Sequence, residues 1–88
     1  MSDYAPVYIK ISAGMENFGG YAKVGENLPD ACRRLYRQRF NAEPIIESER
    51  KVDFMSIEEV DSRIKSGWPV GLRSIPVYYY ICKDGKQD

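Results

Sequence analysis

The sequence contains no histidine, and this absence removes the side chain that most often serves as a general base near neutral pH. It also rules out a cysteine–histidine zinc site. The only two cysteines, Cys32 and Cys82, stand fifty positions apart and form no short metal-binding motif. We therefore expect no cofactor, no metal and no catalytic residues, and we predict that the protein is not an enzyme.

A net charge and a long apolar run are also missing. Lysine plus arginine and aspartate plus glutamate number 13 each in the 88 residues, so no overall field attracts nucleic acid or an anionic membrane. No run is apolar for long enough to span a bilayer, and no signal peptide is recognisable. These absences predict a soluble, cytoplasmic protein that does not bind membranes.

The most strand-like stretch lies at 75–82 and is rich in β-branched and aromatic residues. Because successive side chains of a strand point to opposite faces, one face is expected to belong to the core. This face would carry Ile75, Val77, Tyr79 and Ile81. The opposite face would carry Tyr78, Tyr80 and Cys82. Because this second face is not polar, it is either covered by another layer or available to a partner.

The preceding chain predicts two strands, a helix and a third strand. Residues 7–13 alternate as a half-buried strand, and a loop over 14–20 leads to a shorter strand at 21–24. Asn27 or Leu28 caps a helix that Asn41 ends. Its buried stripe is Leu28, Cys32, Leu35, Tyr36 and Phe40. Segment 45–55 is expected to be one long bent edge strand, with a second hairpin as the alternative.

A capping box at Ser56 and Glu59 begins a second predicted helix, and Gly67 ends it. The order β-β-α-β-α-β predicts an α+β fold, a two-layer sandwich with a mainly antiparallel sheet and both helices on one face. We expect a single domain over 1–88, in which 1–6 is a lead-in and 83–88 is a polar tail.

Two groups of residues are candidates for chemistry. Cys32 precedes two arginines that would lower the pKa of its thiol, but its place on the apolar stripe favours a buried, reduced, structural cysteine. Glu47, Glu49 and Asp53 share one parity of a single strand and would suit a divalent cation. A solvated edge that prevents aggregation is the preferred interpretation of these acids.

Tyrosines and lysines are expected to share the sheet face that points away from the helices. These residues are Tyr8, Lys10, Tyr21, Lys23, Tyr78 and Tyr80. Such a face suits a protein partner, because tyrosine offers rigid contact area with a polar end. It also has the chemistry of a platform for single-stranded nucleic acid, but the zero net charge and the lack of an RNP-type motif favour protein.

The arginines of the first helix form a second candidate surface, made of Arg33, Arg34 and Arg37. Guanidinium groups suit carboxylate or phosphate partners, and a solvated helix face is the alternative. We therefore predict a small non-catalytic protein-binding domain that acts as a regulator, inhibitor or accessory subunit. The alternatives are single-stranded nucleic-acid binding and a small enzyme that uses Cys32 or a carboxylate pair. Homodimerisation through the last strand is also considered.

Overall fold

A four-stranded mixed sheet is the centre of the computed structural model, which describes residues 3–85. The strands are β1 (Tyr4–Ala13), β2 (Glu16–Lys23), β3 (Pro44–Ser56) and β4 (Ser74–Asp84). Their spatial order is β2-β1-β4-β3, with β1 and β4 parallel and each outer pair antiparallel. The α+β class is confirmed. The expectation of a mainly antiparallel sheet is corrected by the central parallel pair.

The predicted lead-in 1–6 and the predicted tail 83–88 overlap the sheet. β1 already begins at Tyr4 and β4 continues to Asp84, because both ends find antiparallel partners on a neighbouring strand. The outermost residues of both segments lie outside the described part of the chain.

β1 and β2 are joined by a tight turn and not by the loop predicted over 14–20. Only Gly14 and Met15 separate the two strands. Gly14 has a φ of 63°, and glycine at the first central position is typical of the type II′ turn that matches the twist of a hairpin. The second strand therefore begins at Glu16, well before the predicted segment 21–24.

Helix α1 (Leu28–Phe40) has the ends that the sequence predicts. The side chain of Asn27 accepts a hydrogen bond from the Asp30 amide at 2.9 Å, and Asn41 follows the helix with a left-handed φ of 54°. Cys32 and Tyr36 of the predicted stripe are buried. Its remaining members, which pack against the core, are Leu28, Leu35 and Phe40.

The second predicted helix is reduced to two short turns. The capping box of Ser56 and Glu59 is confirmed. It begins only a 3₁₀ turn (Ile57–Glu59), because the buried Val60 returns to an extended conformation with φ −87° and ψ 134°. Helix α2 (Ser62–Lys65) then adds a single turn.

Segment 57–73, which contains α2, lies on the sheet face opposite α1. Gly20 of β2 faces Leu35 of α1, because a Cβ at Gly20 would lie 2.6 Å from a Leu35 methyl group. The next residue, Tyr21, packs on Trp68 of segment 57–73 with ring centroids 6.3 Å apart. Neighbouring residues of a strand point to opposite faces. The prediction of two helices on one face is therefore wrong. We call the α1 side the helix face and the other side the far face.

The buried side of β4 changes half-way along the strand. Ile75 and Val77 are buried on the far face, as predicted, where segment 57–73 covers the sheet. Beyond them Tyr80 is fully buried on the helix face under α1, whereas Tyr79 and Ile81 are partly exposed. The assignment of these last two residues to the core is wrong, because the cover of the far face ends before it reaches them.

Neighbouring tyrosines of β4 provide a matched test of this burial pattern. We expect Tyr80→Ala to lower the free energy of unfolding by about 3–5 kcal/mol, because it leaves a cavity in place of a fully buried ring. Tyr79→Ala removes a partly exposed ring and is expected to cost less than about 1.5 kcal/mol. Urea unfolding followed by circular dichroism measures both. A larger loss for Tyr79→Ala would contradict the pattern.

Candidate functional site

The part of the far face that segment 57–73 leaves uncovered is the strongest candidate for a binding surface. Strand register places one residue of each strand in two adjacent rows across it. The first row consists of Gly19, Lys10, Tyr79 and Arg50. The second row consists of Asn17, Ser12, Ile81 and Ser48. These two rows are called the open face below.

Tyr79 lies between two cations on the open face. Lys10 is its neighbour on β1, and Arg50 is its neighbour on β3. Both cations are exposed, and within residues 3–85 no carboxylate lies close enough to either of them to form an ion pair. The open face therefore combines an aromatic ring with two unmatched positive charges.

A depression of about 360 Å³ opens beside Lys10. Tyr8, Asn17, Gly19 and Tyr79 line it together with Lys10. A Cβ at Gly19 would lie 2.8 Å from the Tyr8 hydroxyl oxygen, so the tyrosine ring leans over the glycine. Aromatic walls, an ammonium group and an amide thus surround space that a partner's side chain can enter.

Two of the predicted surface tyrosines point to the other side of the sheet. The register pairs Tyr78 and Tyr80 with core residues of β1, which places both on the helix face. Tyr80 is fully buried, and its hydroxyl donates a hydrogen bond to the Glu49 carboxylate. Burial and this hydrogen bond raise the pKa of Tyr80. The expectation that both lie exposed near Tyr8 is wrong, and Tyr79 takes that place.

Four of the predicted surface residues do share the far face: Tyr8, Lys10, Tyr21 and Lys23. Tyr21, however, is occupied by contacts within the chain. Its ring packs on Tyr8 at 5.0 Å and on Trp68, and its hydroxyl donates to the sulfur of Met55 at 3.8 Å. Burial raises the pKa of Tyr21. Tyr21 thus holds segment 57–73 on the sheet and leaves Tyr8 beside the open face, to which Lys10 belongs.

Each arginine of α1 has an acidic partner within the chain. The ion pairs are Arg33–Asp30, Arg34–Glu26, Arg37–Glu43 and Arg39–Glu16. The predicted arginine face is therefore already matched in charge, which weakens its attraction for an acidic partner. On the open face, by contrast, Lys10 and Arg50 have no acidic partner among the described residues.

Arg34 is held most firmly. Its guanidinium donates to both carboxylate oxygens of Glu26 and to the Tyr21 carbonyl at 2.8 Å, and the two paired side chains are only 16% and 17% exposed. Burial by itself would raise the pKa of Glu26, but hydrogen bonds from Arg34 and from the Lys23 amide outweigh it and lower that pKa. This contact ties α1 to the end of β2.

The three carboxylates considered for a cation do not converge. The bulges of β3 place Glu49 on the helix face and Asp53 on the far face, whereas Glu47 pairs with Lys83 at 3.6 Å. Among the described residues, no group of three metal-ligating side chains is placed to hold an ion. As the sequence favours, β3 is one long edge strand.

The two cysteines meet in the core between α1 and β4. Their sulfur atoms lie 3.4 Å apart without a bond, and Cys32 and Cys82 are 0% and 2% exposed. The prediction that both are buried is confirmed. A nucleophilic role for Cys32 toward a substrate would require the helix to open, since a reactive thiol needs access.

Comparisons with known proteins found no match to a protein-family model, to a curated protein or to a solved structure. No helix in residues 3–85 has the length and apolar character that crossing a membrane requires. The functional interpretation therefore depends on the chemistry of the open face.

The ion pair of Arg34 yields a prediction about stability and pH. A lowered carboxyl pKa stabilises the folded state above the unfolded value of about 4.5, and this contribution is lost as the pH falls through the folded pKa. We expect Arg34→Met to lower the free energy of unfolding by about 1–2 kcal/mol at pH 7. Below about pH 4.5, we also expect the stability of Arg34→Met to decline less steeply with falling pH than the stability of wild type.

Arg37→Met is the matched control, because its ion pair with Glu43 is about half exposed and is expected to contribute less than about 0.5 kcal/mol. Urea unfolding at a series of pH values measures all three proteins. Equal losses for the two arginine variants would show that Arg34 has no special structural role.

Proposed function

We propose that the protein is a non-catalytic protein-binding domain that uses its open face, and that it acts as a regulator, inhibitor or accessory subunit of its partner. The observation that carries the proposal is the row in which Tyr79 lies between Lys10 and Arg50. All four α1 arginines have partners in the chain, whereas these two cations have none within the described residues.

The composition of the open face supports a protein partner. Tyrosine and arginine are enriched at interface centres, and Ile81, 36% exposed, adds apolar area beside two serine hydroxyls. Tyr79 and the neighbouring Tyr8 each provide a rigid aromatic ring with a polar hydroxyl group, and burial of such rings stabilises an interface.

The size of the open face favours a peptide segment over a large rigid domain. Four strands spaced about 4.8 Å apart and two rows about 7 Å apart cover roughly 200 Å². A stable interface between two folded proteins buries about 800 Å² on each side. The surface therefore fits an extended segment that contributes a few side chains.

The spacing of the cations indicates the charge pattern of that segment. Lys10 and Arg50 are separated by two strand intervals, or about 10 Å. In a polyproline II conformation, residues i and i+3 point the same way and lie about 9 Å apart. We therefore propose an acidic segment with two carboxylates three positions apart and its intervening backbone over Tyr79.

This proposal is tested by titrating the ¹⁵N-labelled protein with three probes. They are a proline-containing peptide with two glutamates three positions apart, its glutamine analogue, and single-stranded oligothymidine. We expect the acidic peptide to shift amide resonances of β1, β3 and β4 around Tyr79. Because two exposed ion pairs are involved, Lys10→Gln/Arg50→Gln is expected to weaken binding about tenfold.

Lys51→Gln/Arg73→Gln is the matched control. It removes the same charge, and Lys51 lies next to Arg50 but pairs with Tyr78 on the helix face. The control is expected to bind like wild type. If oligothymidine binds and the acidic peptide does not, the result would favour the nucleic-acid alternative. Equal weakening in both double variants, or no shift with any probe, would refute the proposed site.

A further inference from the structure

Cys32 and Cys82 form an isolated pair of thiols inside the core. Cys32 comes from α1 and Cys82 from β4, and their sulfur atoms are 3.4 Å apart. Both belong to the main core cluster, beside Tyr36 and Tyr80. The chain has no other cysteine, so neither thiol has a competing partner in the same molecule.

We propose that Cys32 and Cys82 are an oxidation site, at which hydrogen peroxide converts the two thiols into a disulfide that fastens α1 to β4. The sulfur atoms must approach by about 1.4 Å to reach the bonded distance of about 2.05 Å. Rotation of side chains and a small shift of the helix are the motions available for this approach. The inference does not depend on the proposed binding function.

The contact between the sulfur atoms assigns different roles to the two thiols. Either sulfur can donate the hydrogen bond between them, and the thiol that accepts it has the lower pKa, although burial opposes this effect. The same contact, together with burial, raises the pKa of the thiol that donates. The accepting thiol therefore loses its proton first, and it is the nucleophile because the thiolate is the reactive form.

The reaction proceeds in two balanced steps. The thiolate of the accepting cysteine attacks one oxygen of hydrogen peroxide, the O–O bond breaks, and the released hydroxide takes up a proton to become water. The product is a sulfenic acid. The sulfur of the second cysteine then attacks the sulfur of the sulfenic acid, the S–O bond breaks, and the departing hydroxide leaves as water with the proton of the second thiol. Two thiols and one peroxide give one disulfide and two waters.

Burial of the pair determines which oxidants reach it. Cys32 and Cys82 are 0% and 2% exposed, so reaction requires a local opening between α1 and the sheet. Hydrogen peroxide is small enough to use a partial opening. A bulky disulfide such as oxidised glutathione must form a mixed disulfide in the core, so we expect it to react more slowly than peroxide.

The disulfide is expected to stabilise the fold strongly. It closes a loop of fifty residues that contains β3, α2 and most of β4. In the chain-entropy model, a cross-link restricts the unfolded chain more strongly as the loop that it closes becomes longer. For a chain of this size, we expect the midpoint of thermal unfolding to rise by at least about 10 °C.

The test treats the reduced 88-residue protein with hydrogen peroxide and then counts free thiols with maleimide in denaturant. We expect both thiols to disappear together with the loss of two hydrogen masses, in a species that remains monomeric without reductant. Its thermal midpoint is expected to rise and to return to the starting value after treatment with dithiothreitol.

The same chain unfolded in urea is the control for peroxide dose, because its thiols are fully accessible. Two free thiols in the folded protein at a dose that oxidises the unfolded chain would overturn the inference. Disulfide-linked dimers, or sulfinic acid in place of the disulfide, would also overturn it. In Cys32→Ala and in Cys82→Ala, the remaining thiol is expected to stop at a sulfenic acid that dimedone traps, and the absence of trapping in both variants would refute the first step.

Discussion

The parallel pairing of β1 with β4 is the constraint on which the rest of the structure depends. It sets Ile11 beside Tyr80 under α1 and Lys10 beside Tyr79 on the far face. This register therefore determines both which side chains are buried under α1 and which are exposed on the open face. Because β1 and β4 are interior strands, the sheet edges are β2 and β3. β4 has no free edge, so dimerisation by edge pairing of the last strand, one of the possibilities that the sequence raises, is not available to it.

Features set by a few neighbouring residues were predictable. Asn27 caps α1 and Asn41 ends it, because their side chains and backbone preferences act within one turn of the helix. The capping box at Ser56 forms for the same local reason. It does not ensure a long helix, since the burial of Val60 requires an extended backbone four residues later. Local signals thus located the start of α1 and of the 3₁₀ turn at Ile57, but they did not locate the separate helix α2.

Features set by strand order were not predictable. Alternation along β4 was correct, but apolar residues occupy both parities, so the sequence does not say which side is covered at each point. The buried side of β4 changes along the strand because segment 57–73 and α1 cover opposite faces of the sheet. Tyr8 and Lys10 were predicted surface residues, whereas Tyr79 and Arg50 were missed. These two join the site only through the pairing of β4 with β1 and of β3 with β4.

The charge balance of the chain limits how the open face can act. With 13 charges of each sign, no long-range field attracts a partner, so attraction arises only where a cation is left without its acid. The gap of about 10 Å between Lys10 and Arg50 is close to the Debye length at physiological ionic strength. The electrostatic field of each cation therefore acts mainly on groups close to that cation. In the proposed function, selection of a partner therefore depends on contact geometry around Tyr79 more than on electrostatic steering.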